Sequence, residues 1–261
     1  MSTFKFICPH LKTFGICLFS LIVISNRAKA QTSPRVNSDN FNAWVVYNGQ
    51  HLLTDKIGLH AEVQIRRNDG FSSWQQLLLR PGIFYKINKN VLVTAGYAYV
   101  ETHPYGEIPI AKTAFPEHRV WEQLQLTQQT GDVDITNRLR LEQRFFGDAA
   151  IGMFTNVRFE NRVRYMLKVN IPLGKTSPLY VPVYDEVFIA FGKNVKYNTF
   201  DQNRFGLGLG FNTGRYTKLE VGYLYQYVQQ RNLTANYNQV VENNHTLAIN
   251  LFSAMPFIKA K

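Results

Sequence analysis

Cysteine is nearly missing from this chain. Its two cysteines, Cys8 and Cys17, both fall within the first thirty of 261 residues. A chain cut after them has no thiol and no disulfide. That excludes a disulfide scaffold, a thiolate zinc site and a cysteine nucleophile. Long apolar runs are as scarce. Residues 14–24 form one, too short to cross a bilayer as a helix, and nothing after it resembles a membrane helix. Acid is in deficit, with 18 Asp and Glu against 29 Lys and Arg. The basic residues alternate with acids along candidate strands and are not massed in a tail, which argues against a nucleic-acid partner. No convincing helix and no repeat of fixed period is present.

The first thirty residues read as a cleaved secretory signal. Lys5 and Lys12 supply a basic start, the apolar run follows, and Ala28-Lys29-Ala30 is a small-x-small cleavage site. The mature chain is expected to begin at Gln31. Cys17 lies inside the apolar run and not at its end, so lipid attachment is not expected. Losing Lys5, Lys12, Arg27 and Lys29 lowers the formal net charge from +11 to +7. Residues 31–40 are expected as a flexible polar lead, and 41–261 as one domain.

What the chain has in quantity is alternation with period two, the signature of strands with unlike faces. In 133–146, Val133, Ile135, Leu139, Leu141 and Phe145 oppose Asp134, Thr136, Arg138, Arg140, Glu142 and Arg144. In 159–171, Phe159, Val163, Tyr165, Leu167, Val169 and Ile171 oppose Glu160, Arg162, Arg164, Lys168 and Asn170. Similar segments lie at 41–53, 57–67, 74–87, 91–101, 120–128, 179–192, 204–212, 218–230 and 245–252. Pro81 demotes its strand to an edge or bulge. Glu122 interrupts an oily face, where a place near one strand end would let it reach an interface.

Short turns near Asn88, Gly131, Gly174 and Gly214 alternate with longer loops at 68–73, 103–118, 147–156, 193–202 and 230–244. Tyrosines gather where 91–99 and 219–227 approach the longer loops, as an aromatic girdle would. The expected fold is all-β: an antiparallel up-and-down transmembrane β-barrel of about 10–12 strands in a bacterial outer membrane. Its partners are outer-membrane lipid and, during biogenesis, periplasmic chaperones and the barrel-assembly machinery. Even strand number is the rule for such barrels, which favours ten or twelve, yet the segment at 41–53 then starts from the wrong side.

Arg119-x-Trp121-Glu122-Gln123, Asn137-Arg138-Leu139-Arg140-Leu141-Glu142-Gln143-Arg144, Arg162-x-Arg164-Tyr165, Tyr184-Asp185-Glu186, Phe200-Asp201-Gln202-Asn203-Arg204, Gly222-Tyr223 and Asn244-His245 occur in that order. Together they resemble the bacterial family catalogued as domain of unknown function 2490, whose members are thought to be outer-membrane barrels. The resemblance implies a fold and no reaction.

The candidate site is an inward charge ladder: Arg138, Arg140, Glu142, Arg144, Glu160, Arg162, Arg164, Lys168, Glu186, Arg204 and Glu220, with Glu62 and Arg80 in phase. One reading is a salt-bridged lumen that holds a narrow barrel shut. A second is a basic lining that favours anions, making a narrow pore. A lipid hydrolase is a third; His51, His60, His103, His118 and His245 sit in no nucleophile or metal motif. A soluble periplasmic binding barrel is a fourth. No cofactor, metal or catalytic residue is assigned. Gly206, Gly208 and Gly210 lie within a strand, which excludes a phosphate loop; inward glycines are expected to make room for large charged residues opposite.

Overall fold

Strict alternation and the lack of helix-forming stretches give eleven strands. They are β1 (Arg35–Leu52), β2 (Ile57–Asn68), β3 (Ser73–Lys86), β4 (Val91–Thr102), β5 (Phe115–Thr130), β6 (Val133–Asp148), β7 (Met153–Pro172), β8 (Leu179–Phe191), β9 (Phe200–Asn212), β10 (Thr217–Leu233) and β11 (Gln239–Ser253). The computed structural model describes residues 34–236 and 238–257. The expected signal segment and its cleavage site lie outside the described residues.

Each strand pairs antiparallel with the next, and β1 closes the barrel on β11. That closing pair is parallel, running from Arg35 opposite Gln239 to Gly49 opposite Ser253. The strand number is therefore eleven, neither ten nor twelve. An odd number makes the first and last strands point the same way, which resolves the conflict over β1 without adding or removing a strand. Residues 35–40, expected as flexible, belong to β1 because the start of β11 supplies them with hydrogen-bond partners.

Strands also extend further toward one end than their patterning indicated, so several longer loops shrink. Residues 103–114 and 192–199 remain long, while the connection between β6 and β7 is only 149–152. At the opposite end Gly131, at φ 60°, supplies the positive φ required by the two-residue hairpin between β5 and β6. Pro81 is at neither an edge nor a bulge. A closed barrel has no edge, and the β3–β4 ladder omits partners for Arg80 and Pro81 without changing register. Because β5 begins at Phe115, Glu122 lies mid-strand, opposite Ala95 and Leu141, and not near an end. It is exposed and accepts a hydrogen bond from Gln143 (3.2 Å).

The two faces separate cleanly. Every strand carries at least one large exposed apolar side chain, among them Phe41, Ile65, Ile83, Tyr97, Leu124, Leu139, Tyr165, Ile189, Leu207, Val221 and Leu247. Tyr97 and Tyr223 hydrogen-bond His118 and His245, while Tyr99 and Tyr225 pack against the same two rings. The two tyrosine clusters thus each include a histidine. The inner face holds the buried charges. Several inward glycines make room for aromatic rings from nearby strands, and Gly208 and Gly222 for each other's backbone, and not for charged residues opposite. A Cβ at Gly206 or Gly210 would run into the ring of Tyr184 or Tyr180, and one at Gly82 would lie 3.0 Å from Trp121.

Candidate functional site

Alternation turns all eleven ladder residues into the lumen, where they divide into levels. Glu142, at 0% exposure, occupies the middle. It accepts hydrogen bonds from Arg162 Nε (2.9 Å) and Arg164 Nη1 (2.8 Å), and Arg80 Nη2 lies 3.4 Å away. Arg119 approaches to 3.9 Å. Each of these arginines has a second carboxylate: Asp201 for Arg162, Glu186 for Arg164, Glu62 for Arg80 and Glu117 for Arg119. Arg138 also joins Glu186 (2.7 Å), and Arg144 joins Glu117 (2.6 Å). Arg140 is held mainly by Gln123 (3.0 and 2.7 Å). Toward the short-turn end Lys168 pairs with Glu220 (2.6 Å); toward the other end Glu160 pairs with Arg158 (3.0 Å).

Arg204 and Arg66 differ from the rest. Neither has a carboxylate within 4.0 Å among the described residues. Arg66 is bound by Gln64 (Nε, 2.9 Å) and Gln76 (2.7 Å), Arg204 by Gln202 (3.0 Å). Their guanidinium planes rest on aromatic faces instead, Arg66 3.9 Å from the centre of Trp44 and Arg204 4.6 Å from that of Phe188. Cation–π contact of this kind offsets part of the cost of a buried charge.

Patterning missed several members of this network. Glu117 and Asp201 fall in segments that read as loops, because β5 and β9 begin earlier than the apolar alternation does. Arg119 stands only in the family-like motif, and Arg66 lies in the segment 57–67 outside the charge ladder. Trp44, Trp121 and Phe188 fill space between the charges. The signal for Glu117 and Arg119 is phase: both are in step with Trp121 and Gln123.

The mouth beside the longer loops is covered by residues 103–114. Tyr105 donates to Glu242, Gln230 donates to the Ile108 carbonyl (2.8 Å), and Ala111 packs with Phe115 and Phe146. Burial, reinforced by the Glu242 carboxylate, pushes the Tyr105 phenol well above its ordinary range and keeps it a donor. Beneath this loop is a vestibule of about 100 Å³, and deeper a void of about 60 Å³. A larger cavity of about 370 Å³ lies at the short-turn end, lined by His60, Arg138, Arg140, Lys168 and Glu220 among others. The Glu62–Glu142–Glu186 level separates the void from this cavity, and the two share no lining residue.

The histidines do not converge. His51 contacts Tyr47 (2.8 Å) and the Met255 carbonyl (2.8 Å), and His103 contacts Glu101 (2.9 Å). His60 is inward, 3.6 Å from Glu62. Among the described residues no serine hydroxyl hydrogen-bonds a histidine ring.

Residues 41–238 match the model of a family described as a protein of unknown function, DUF2490. An uncharacterized protein of Methylorubrum extorquens is 27% identical over 241 residues, covering 91% of this chain and 96% of the relative. No solved structure matches the chain. The family match spans most of the barrel, and the chain belongs to the DUF2490 family.

Proposed function

We propose that this chain is an integral outer-membrane β-barrel closed by its own lumenal side chains, with a structural or permeability-limiting role. The observation that carries the reading is the apolar belt around all eleven strands. Soluble monomers rarely expose contiguous apolar surface beyond a few hundred Å², whereas a membrane barrel turns such a belt to lipid. The charged interior supports the second half of the reading. Pairs from facing walls meet across the lumen, as Arg80 meets Glu142 and Lys168 meets Glu220, and the void and the cavity on either side of them share no lining residue. On this reading the partners are outer-membrane lipid, periplasmic chaperones and the barrel-assembly machinery.

The excess of lumenal arginine favours a second reading, a narrow anion-favouring pore. One experiment separates the two. The purified, heat-modifiable protein is inserted into a planar bilayer under a KCl gradient. The closed barrel gives no steady current. Stable conductance with an anion-selective reversal potential, reduced by Arg140→Glu or Arg162→Glu, would establish the pore. Recovery of the native protein in the soluble fraction after cell lysis would overturn both.

A further inference from the structure

We infer that the 60 Å³ void in the middle of the lumen is a binding site for a small tetrahedral oxyanion of the phosphate or sulfate class. Seven arginines and three glutamines line it, and no carboxylate does. Five of these arginines are served by Glu62, Glu117, Glu142, Glu186 and Asp201, none of which lines the void, although Glu117 and Asp201 line the adjoining vestibule; Glu62 and Glu186 are shared with Arg140 and Arg138. Five acids therefore serve seven arginines, and Arg66 and Arg204 have none. In a site shielded from water, such an excess of like charge is costly unless a counterion offsets it.

Arg66 and Arg204 locate the missing counterion. Both line the void, both lack a carboxylate, and neither is more than 9% exposed. Arg80 also lines it, with a buried Nε that has no acceptor. Planar guanidinium groups with several fixed donors suit the oxygens of phosphate and sulfate, which accept from more than one side. The volume, about 60 Å³, has room for one small polyatomic anion. The void adjoins the vestibule under residues 103–114, with which it shares Arg66, Gln76, Arg144 and Gln202. The carboxylate level beneath it makes the site a dead end and not a station on a route through the barrel. The inference holds wherever the barrel resides, since a water-soluble barrel with this lumen would bind the same ion.

The test is calorimetric titration of the full protein, purified in detergent, with inorganic phosphate and with sulfate at constant ionic strength in chloride. The expected result is one saturable site per chain, with Arg66→Gln and Arg204→Gln each weakening it at least tenfold. Arg215→Gln, in the other cavity, leaves it unchanged. Neither lumenal substitution strands a carboxylate, so both variants should retain heat-modifiable migration. If either fails to fold, Arg204→Lys serves instead: it keeps the charge, loses the fork and should still weaken binding. Absence of saturable binding by either anion would mean that the void holds water only and would overturn the inference. So would affinity unchanged in the arginine variants.

Discussion

Glu142→Gln tests whether the charge network holds the barrel together. Four arginines converge on this carboxylate, and none of it is exposed. Removing one partner from a buried ion pair typically costs about 3–5 kcal/mol. Here each arginine retains a second carboxylate, and glutamine keeps an acceptor in the same place, so the expected loss is at the low end, about 3 kcal/mol. The assay is equilibrium urea unfolding in lipid vesicles, followed by tryptophan fluorescence. Trp121 is a suitable reporter, being fully buried with Arg140 4.8 Å from its ring centre. A double-mutant cycle with Arg80→Gln should show coupling, because the second substitution removes part of the positive charge left by the first. Destabilisation below about 1 kcal/mol, the range of exposed pairs, would refute the claim that these contacts close the lumen.

Three further outcomes follow from the same geometry. Leu139→Arg, on the outward face between Leu124 and Tyr165, should cost about 2–4 kcal/mol in vesicle unfolding if the face meets lipid; a change within about 0.5 kcal/mol would mean that it meets water. Ala43→Cys with Leu247→Cys should crosslink in the oxidised protein, since the residues are neighbours in the parallel closing pair. Unchanged gel mobility with and without reductant would count against that closure. Gly96→Ala should destabilise by about 1–3 kcal/mol, because its Cβ would fall against the Pro81 carbonyl and the Gly82 Cα; retention of the wild-type unfolding midpoint would contradict the close approach of β3 and β4.

The inward ladder was legible because period two leaves only one choice of face. Once Leu139 and Leu141 were outside, Arg138, Arg140 and Glu142 had to be inside. The strand ends were harder to read. Beyond the apolar belt, outward positions no longer need to be oily, so alternation fades while the hydrogen-bond ladder continues. That is why the pattern puts Glu117 and Asp201 in loops and residues 35–40 in a flexible lead, where the structure has strand. Closure was illegible for a different reason. Whether β1 meets β11 parallel or antiparallel depends on strand number, and a single missed or merged segment reverses the answer. The pairing of particular charges also escaped, because Lys168 and Glu220 are 52 positions apart and only the curvature of the wall brings them together.

The interior is filled unevenly, and that unevenness explains why charges can occupy its middle. Along β9, Gly206 and Gly210 leave the wall bare, and Tyr184 and Tyr180 from β8 cover it. Along β3 and β4, Gly82 and Gly96 do the same for Trp121. These rings lie against the wall and provide flat apolar support near the charges, as Trp121 does for Arg140 and Arg80. A lumen lined only with aliphatic side chains would offer the guanidinium groups no comparable face, and one without glycines would leave the rings no room. The small residues, the aromatics and the arginines therefore form one packing solution. A substitution that enlarges a glycine should disturb ion pairs it never touches, by moving the ring on which an arginine rests.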